Sequence, residues 1–131
     1  MTIPLGPETS TEAATYEIDV AHHSVTAQTV CVVALRGEID ASNAPAMSAR
    51  LNELLASGQQ NFVIDLSGVT FIDSSGISSI VHLFKRVRIG HGDVKLAAIR
   101  PEVLKVLTLI RLDRVFEIHG DVDTARASFG L

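Results

Sequence analysis

Between Phe71 and Gly90 the chain changes character within a few residues. An apolar pair, Phe71 and Ile72, runs into Asp73, Ser74, Ser75 and Gly76, and then into Ile77, Ile80, Val81, Phe84 and Val87 at helical spacing. A helix beginning here is bounded at both ends. Asp73 is a good N-cap, Lys85, Arg86 and Arg88 fill the last turn, and Gly90 is placed to stop it. Ser74 and Ser75 then stand in the first turn, where unpaired backbone amides and the positive end of the helix dipole favour an anion. A hydroxyl there is well placed to carry a phosphoryl group, although the same residues also describe an ordinary capped helix.

The rest of the chain is short enough to be organised around this element. Its 131 residues form one domain, long enough to bury a core without staples. Hydrophobic residues make up 47%, yet no run approaches the length of a membrane span, so a soluble globular protein is expected. No Lys or Arg precedes Arg36 and no short apolar core stands near the start, so neither a secretory signal nor a transit peptide is predicted and a cytoplasmic location is the default. The single cysteine, Cys31, lies in the apolar run Val30 to Leu35 and reads as a small buried hydrophobe. A formal net charge of −4 argues against a general nucleic-acid binder.

Taken in order, Met1 to Ala14 is rich in Thr, Ala, Pro and Glu without a period and reads as a flexible tail, leaving residues 15–131 as the domain. Tyr16, Ile18 and Val20 alternate with Glu17 and Asp19 as in a half-buried strand, and Thr29 to Leu35 is a run for a strand covered on both faces. The two are expected to pair as a hairpin across a loop containing His22 and His23. Gly37 to Asp40 closes the second strand, and Ser42 or Asn43 with Pro45 starts a helix whose Met47, Leu51, Leu54 and Leu55 share a face and which Gly58 ends.

Phe62 to Leu66 predicts a short buried strand, followed by a turn region from Ser67 to Ile72 and the central helix. Val94 to Ile99 is a further strand. Pro101 opens a helix with Val103, Val106, Leu107 and Ile110 on one face. Val115 to Ile118 is a last strand, and Asp121 caps a final helix ending near Phe129. Strands alternating with helices after a hairpin predict an α/β fold: a mixed sheet of about five strands packed with about four helices. Both polar turns, Gly37 to Asp40 and Ser67 to Ser75, leave strands at their carboxyl ends, the edge where open α/β sheets place their sites. If those strands are parallel neighbours, the turns form one surface.

Three segments together, Gly37-Glu38-Ile39-Asp40, Val63-Ile64-Asp65-Leu66 and Phe71-Ile72-Asp73-Ser74-Ser75-Gly76, resemble the STAS domain, and in particular bacterial anti-sigma factor antagonists. The resemblance covers about residues 16 to 127, with the Asp-Ser-Ser-Gly core its most specific part. It implies a cycle of partner switching. The unphosphorylated antagonist binds an anti-sigma factor that is also a serine kinase, and so releases a sigma factor. The kinase then phosphorylates the serine after the motif aspartate, here Ser74, and a separate phosphatase resets it. The family commonly has a small residue, often Gly, two positions after the motif glycine, and Ser78, which stands there, keeps the position small.

A phosphoryl group would add nearly two negative charges beside Asp73, and attraction to the helix N-terminus would stabilise the modified state. Helical geometry places Ser75, Ser79, His82 and Arg86 along one polar stripe, and this stripe with Asp40, Asp73 and Gly76 is the candidate partner surface. No cofactor, metal ligand set, nucleic acid or membrane is called for. An enzyme is disfavoured because Ser74 and Ser75 lack the Gly-x-Ser-x-Gly elbow and no histidine is fixed beside them. His22, His23, His91 and His119 have no zinc spacing, and Gly90-His91-Gly92 reads as a turn rather than a phosphate loop. The competing reading is a STAS module that senses a small ligand or scaffolds a signalling assembly, with Ser74 serving only the helix start.

Overall fold

A computed structural model describes residues 2–4, 16–25 and 28–130, with side chains described for 30–130. Six strands, β1 (Thr2–Pro4), β2 (Tyr16–Val25), β3 (Gln28–Ile39), β4 (Asn61–Ile72), β5 (Asp93–Ala97) and β6 (Glu117–His119), lie in one sheet in chain order. The first two pairings are antiparallel, and β3 to β6 form four mutually parallel strands. Helices α1 (Ala44–Ala56), α2 (Ser74–Ile89) and α3 (Pro101–Leu109) are the crossovers, and α4 (Val122–Ala127) follows β6. Each crossover steps the same way along the sheet, and right-handed connections then put all three helices on one face. Among the described residues α4 alone packs on the other.

The burial follows this division. Cys31, Val33 and Leu35 of β3 and Phe62, Ile64 and Leu66 of β4 point into the thick layer, against Met47, Leu51, Ile80, Leu83 and Val87. Val30, Val32, Val63 and Ala97 face Ala125, with Val122 and Phe129 packed alongside, in the thin layer under α4. β3 is thus covered on both faces, as its unbroken apolar run requires. Burial pushes the Cys31 thiol up to about 11, so it behaves as a small hydrophobe. No helix among the described residues is long and apolar enough to cross a membrane.

Several expectations are corrected. Among the described residues the sheet has six strands rather than about five, because Thr2–Pro4, inside the stretch read as a tail, pairs with β2. Residues 5–15 lie outside the described residues, as do the side chains of Tyr16, Ile18 and Val20. His22 and His23 belong to β2, opposite Cys31 and Val30, and not to a loop. The stretch from Ser67 to Ile72 is the second half of β4 and not a turn. On α3 only Val103 and Leu107 are buried; Val106, within the helix, is exposed, as is Ile110, just past the helix end at Leu109 and before a 3-10 turn at Leu112–Arg114.

The unexpected length of β4 has a local cause. Its register against β3 shifts twice, between Ala34 and Arg36 and between Gly37 and Glu38, with an extra β4 residue each time. Gly68 sits at the first shift, where a Cβ would lie 2.7 Å from Cγ of Arg36. Two bulges restore the original facing, so Ile39 and Ile72 end side by side in the core while Phe71 is turned outward, 48% exposed. The alternation that marks a strand is broken at both shifts, which is why this segment reads as a turn from sequence.

The thin layer holds a charged anchor with no sequence signal. Lys95 of β5 is buried under α4, its ammonium donating to Oγ of Ser128 (2.6 Å), 3.4 Å from the Glu117 carboxylate and 4.2 Å from the centre of the Phe129 ring. Glu117 in turn lies 2.7 Å from Nε2 of His119. A buried ammonium requires such partners, and here they secure the end of α4 to the sheet.

Candidate functional site

The carboxyl ends of β3 and β4 are parallel neighbours, and the turns leaving them are joined directly. The Asp73 amide donates to the Ile39 carbonyl at 3.0 Å. On the β3 side, Oδ1 of Asp40 accepts from the Ser42 amide (2.9 Å) and the Ser42 hydroxyl, chiefly the hydroxyl holding its carboxyl below the usual carboxylate range. Asn43 sits beneath this turn, 4% exposed; its Nδ2 donates to the Glu38 carbonyl (2.8 Å) and its Oδ1 accepts from the Asp40 amide (2.9 Å). Asn43 occupies the N-cap position of α1, yet its side chain makes no capping bond and braces the turn instead.

On the β4 side, Asp73 is the N-cap of α2, as its place in the sequence predicts. Its Oδ1 accepts from the amides of Ser75 (2.8 Å) and Gly76 (3.2 Å). This revises one expectation. Two of the first-turn donors that would attract a phosphoryl group are already held by the Asp73 carboxylate. An anion on Ser74 would therefore stand beside a charge of its own sign, and its main effect would point outward. Replacing Asp73 with Ala frees both amides and is expected to lower stability by about 0.5–2 kcal/mol in a denaturant melt. A change below a few tenths would show that the cap bonds are dispensable.

Ser74 is exposed at the first position of α2, and Ser75 is half-buried. Gly76 is buried: a Cβ there would lie 2.6 Å from Cγ2 of Ile39 and 2.7 Å from Cγ1 of Ile72. The glycine lets the helix start sit directly on the ends of both strands. At the far end, Arg88 stands 5.7 Å from the Phe84 ring centre and 3.7 Å from Asp93. The Gly90-His91-Gly92 turn takes its positive φ at His91 rather than at Gly90. Gly92 is held by Gln60, whose carbonyl oxygen a Cβ would meet at 1.9 Å.

The stripe read from helical spacing divides in two. The Ser79 hydroxyl donates back to the Ser75 carbonyl within α2 (3.1 Å), and Arg86 reaches across to Oδ1 of Asn52 on α1 (2.7 Å), so Arg86 follows the α1 flank. His82 is exposed and turns the other way, lining an open groove with Ser78 and Lys85. Asp40, Asp73, Ser74 and Gly76 are brought together by the strand ends, and Arg86 stands three turns away along α2. Two residues of this surface escape the sequence reading. Phe71 is an exposed aromatic paired in register with Glu38, and Asn43 is the buried brace. Phe71 stands within a quoted motif, but nothing local shows that the bulge turns it outward.

The chain as a whole is similar to known proteins. The model of the STAS domain matches residues 22–125. The anti-sigma-B factor antagonist of Bacillus subtilis is 29% identical over 88 residues, 67% of this chain and 80% of that protein. The anti-sigma F factor antagonist of Paenibacillus polymyxa is 25% identical over 106 residues, covering 80% of this chain and 87% of that protein. Among solved structures, an anti-sigma factor antagonist from Mycobacterium paratuberculosis superposes with a TM-score of 0.72 at 26% identity, over 85% of this chain and 92% of that one.

Proposed function

This chain belongs to the STAS domain family, and from that premise we propose that it is an anti-sigma factor antagonist, switched off by reversible phosphorylation of Ser74. Its unmodified form binds an anti-sigma factor that is also a serine kinase, and a phosphatase restores it. The role is regulatory rather than catalytic. The observation that carries the reading is the placement of Ser74: exposed, at the first position of α2, beside a carboxylate, and next to the turn of Asp40 on the neighbouring strand end.

The chemistry of the switch follows from that placement. A phosphoserine carries about −1.5 to −2 charges near neutral pH. Asp73 already uses its Oδ1 on the Ser75 and Gly76 amides, so the added charge is only partly compensated within the domain. Gly76 seats the helix start on Ile39 and Ile72 and keeps the serine from moving away. The partner then meets both bulk and repulsion. Asp40 and Ser75 border the contact, Ser79 and Arg86 extend it along α2, and His82 marks its other edge. The homologues named as antagonists of anti-sigma factors support the same partner class.

The test is phosphopeptide mapping of the protein recovered from its own cells, beside a Ser74→Ala version, with co-purifying proteins identified from the same samples. Phosphate on Ser74, with a kinase-like anti-sigma factor enriched on the unmodified form, is the expected result. If Ser74 stayed unmodified through growth and stress conditions and no such partner co-purified, the ligand-sensing or scaffolding role would replace this one.

A further inference from the structure

Beside α2, on the side away from α1, an open groove of about 410 Å³ is lined by Ile77, Ser78, Val81, His82, Lys85, Ile110 and Leu112. Its floor is apolar and continuous with the core through Ile77 and Leu112, which also border a small apolar void next to Phe116. Of its liners Ile110 is 50% exposed, and the same end of α3 leaves Leu109 73% and Val106 37% exposed. Val106, Leu109 and Ile110 are spaced i, i+3 and i+4, so they form one continuous stripe at the end of α3. Apolar residues gathered at one place, rather than scattered singly, mark an interaction surface.

Charge identifies what fits there. None of the seven lining residues is acidic and Lys85 is one of them; the chain segment that supplies Ile110 and Leu112 also carries the exposed Arg111 and Arg114 against a single acid, Asp113. Such a cationic balance is unusual on a chain with a formal net charge of −4. Arg111 is held there by a left-handed backbone, φ 64°, which ends α3 and turns the chain into the 3-10 segment. We infer that this groove docks an acidic amphipathic helix of a partner protein, with apolar side chains at i, i+3, i+4 and i+7 entering between α2 and the end of α3, and its carboxylates meeting Lys85 and Arg111. The docking goes beyond the serine switch, since it requires no phosphorylation and uses the side of α2 away from α1, meeting the switch surface only at His82.

The test uses the full chain and a synthetic helical peptide of about 16 residues, with Leu at the four anchor positions and Glu on the opposite face. A version with Lys replacing Glu and a scrambled version are the controls. Binding is followed by amide chemical shifts. Saturable binding of the acidic peptide below about 1 mM, with shifts centred on residues 77–85 and 110–112, is expected. Ile110→Asp and Lys85→Glu each weaken it about tenfold or more while thermal melts stay unchanged, and added salt weakens it further. Both substitutions lie at exposed positions, so the fold tolerates them. No saturation up to about 1 mM, equal binding by either control peptide, or shifts confined to another face would overturn the assignment. So would sedimentation showing that the chain pairs with a second copy through Ile110, because the groove would then be its own interface.

Discussion

Ser74→Glu is expected to weaken binding of the kinase-type anti-sigma factor about a hundredfold or more, equivalent to about 2.7 kcal/mol, while Ser74→Ala binds within about threefold of the unmodified protein. The asymmetry follows from the site. Ser74 is exposed, and Ala removes one hydroxyl from solvent without touching the core. Glu adds a carboxylate next to that of Asp73, on the surface shared with Asp40. Neither substitution alters buried packing, so both are expected to melt within about 0.5 kcal/mol of the starting protein. Calorimetric titration against the anti-sigma factor, with the melts alongside, separates charge from misfolding. Equal affinities for the Glu and Ala proteins would mean that charge at Ser74 does not govern the partner.

Gly76→Val has the largest expected effect on the fold, a loss of about 3 kcal/mol and a fall in Tm of roughly 10 °C or more. A residue with a side chain ordinarily improves a helix; Ala is better than Gly by about 1 kcal/mol. Here the first added atom already lies 2.6 Å from Cγ2 of Ile39 and 2.7 Å from Cγ1 of Ile72. Both isoleucines are buried at the ends of neighbouring strands and have little room to give. Either the core yields or the start of α2 lifts off the sheet, carrying Asp73 and Ser74 with it. Partner binding is therefore expected to fall together with stability. A chemical melt settles the matter, and a loss below about 0.5 kcal/mol would show that the contact relaxes freely.

The same residue shows how far the site can be read without coordinates. Asp73, Ser74, Ser75 and Gly76 announce a helix start because capping is local: the carboxylate and the amides it binds lie within three residues. The reason for the glycine is only partly local, since Ile72 is four residues away but the nearer contact is not. That contact comes from Ile39, far away in sequence, so the residue type is visible and the contact is not. Asn43 behaves likewise. It reads as a cap, yet its amide reaches back to Glu38 and Asp40.

Helical faces were legible where both ends of the helix were marked, and failed where the chain turned early. On α2, Ile77, Ile80 and Val87 are buried as the periodicity predicts. On α3, periodicity counts Val106 and Ile110 as core, but the backbone leaves the helix at Leu109 and strands Ile110 at the surface, while Val106 lies on the helix's exposed side. Lys95 is the opposite case. A lysine in a strand suggests solvent, and only the arrival of Ser128 and Phe129 from the end of α4 makes its burial tolerable.

The sequence by itself determined the class of fold, the order of its main strands and helices, and the position of the candidate serine at a capped helix start. These follow from periodicity, caps and chain breakers, which act over a few residues. Tertiary structure decided the two bulges that turn Phe71 outward, the bond from Asp73 to Ile39 that joins the two turns, and the division of the polar stripe between the α1 flank and the groove. Each depends on which segments become neighbours across the sheet, and that is set by the packing of the whole chain rather than by any one stretch of it.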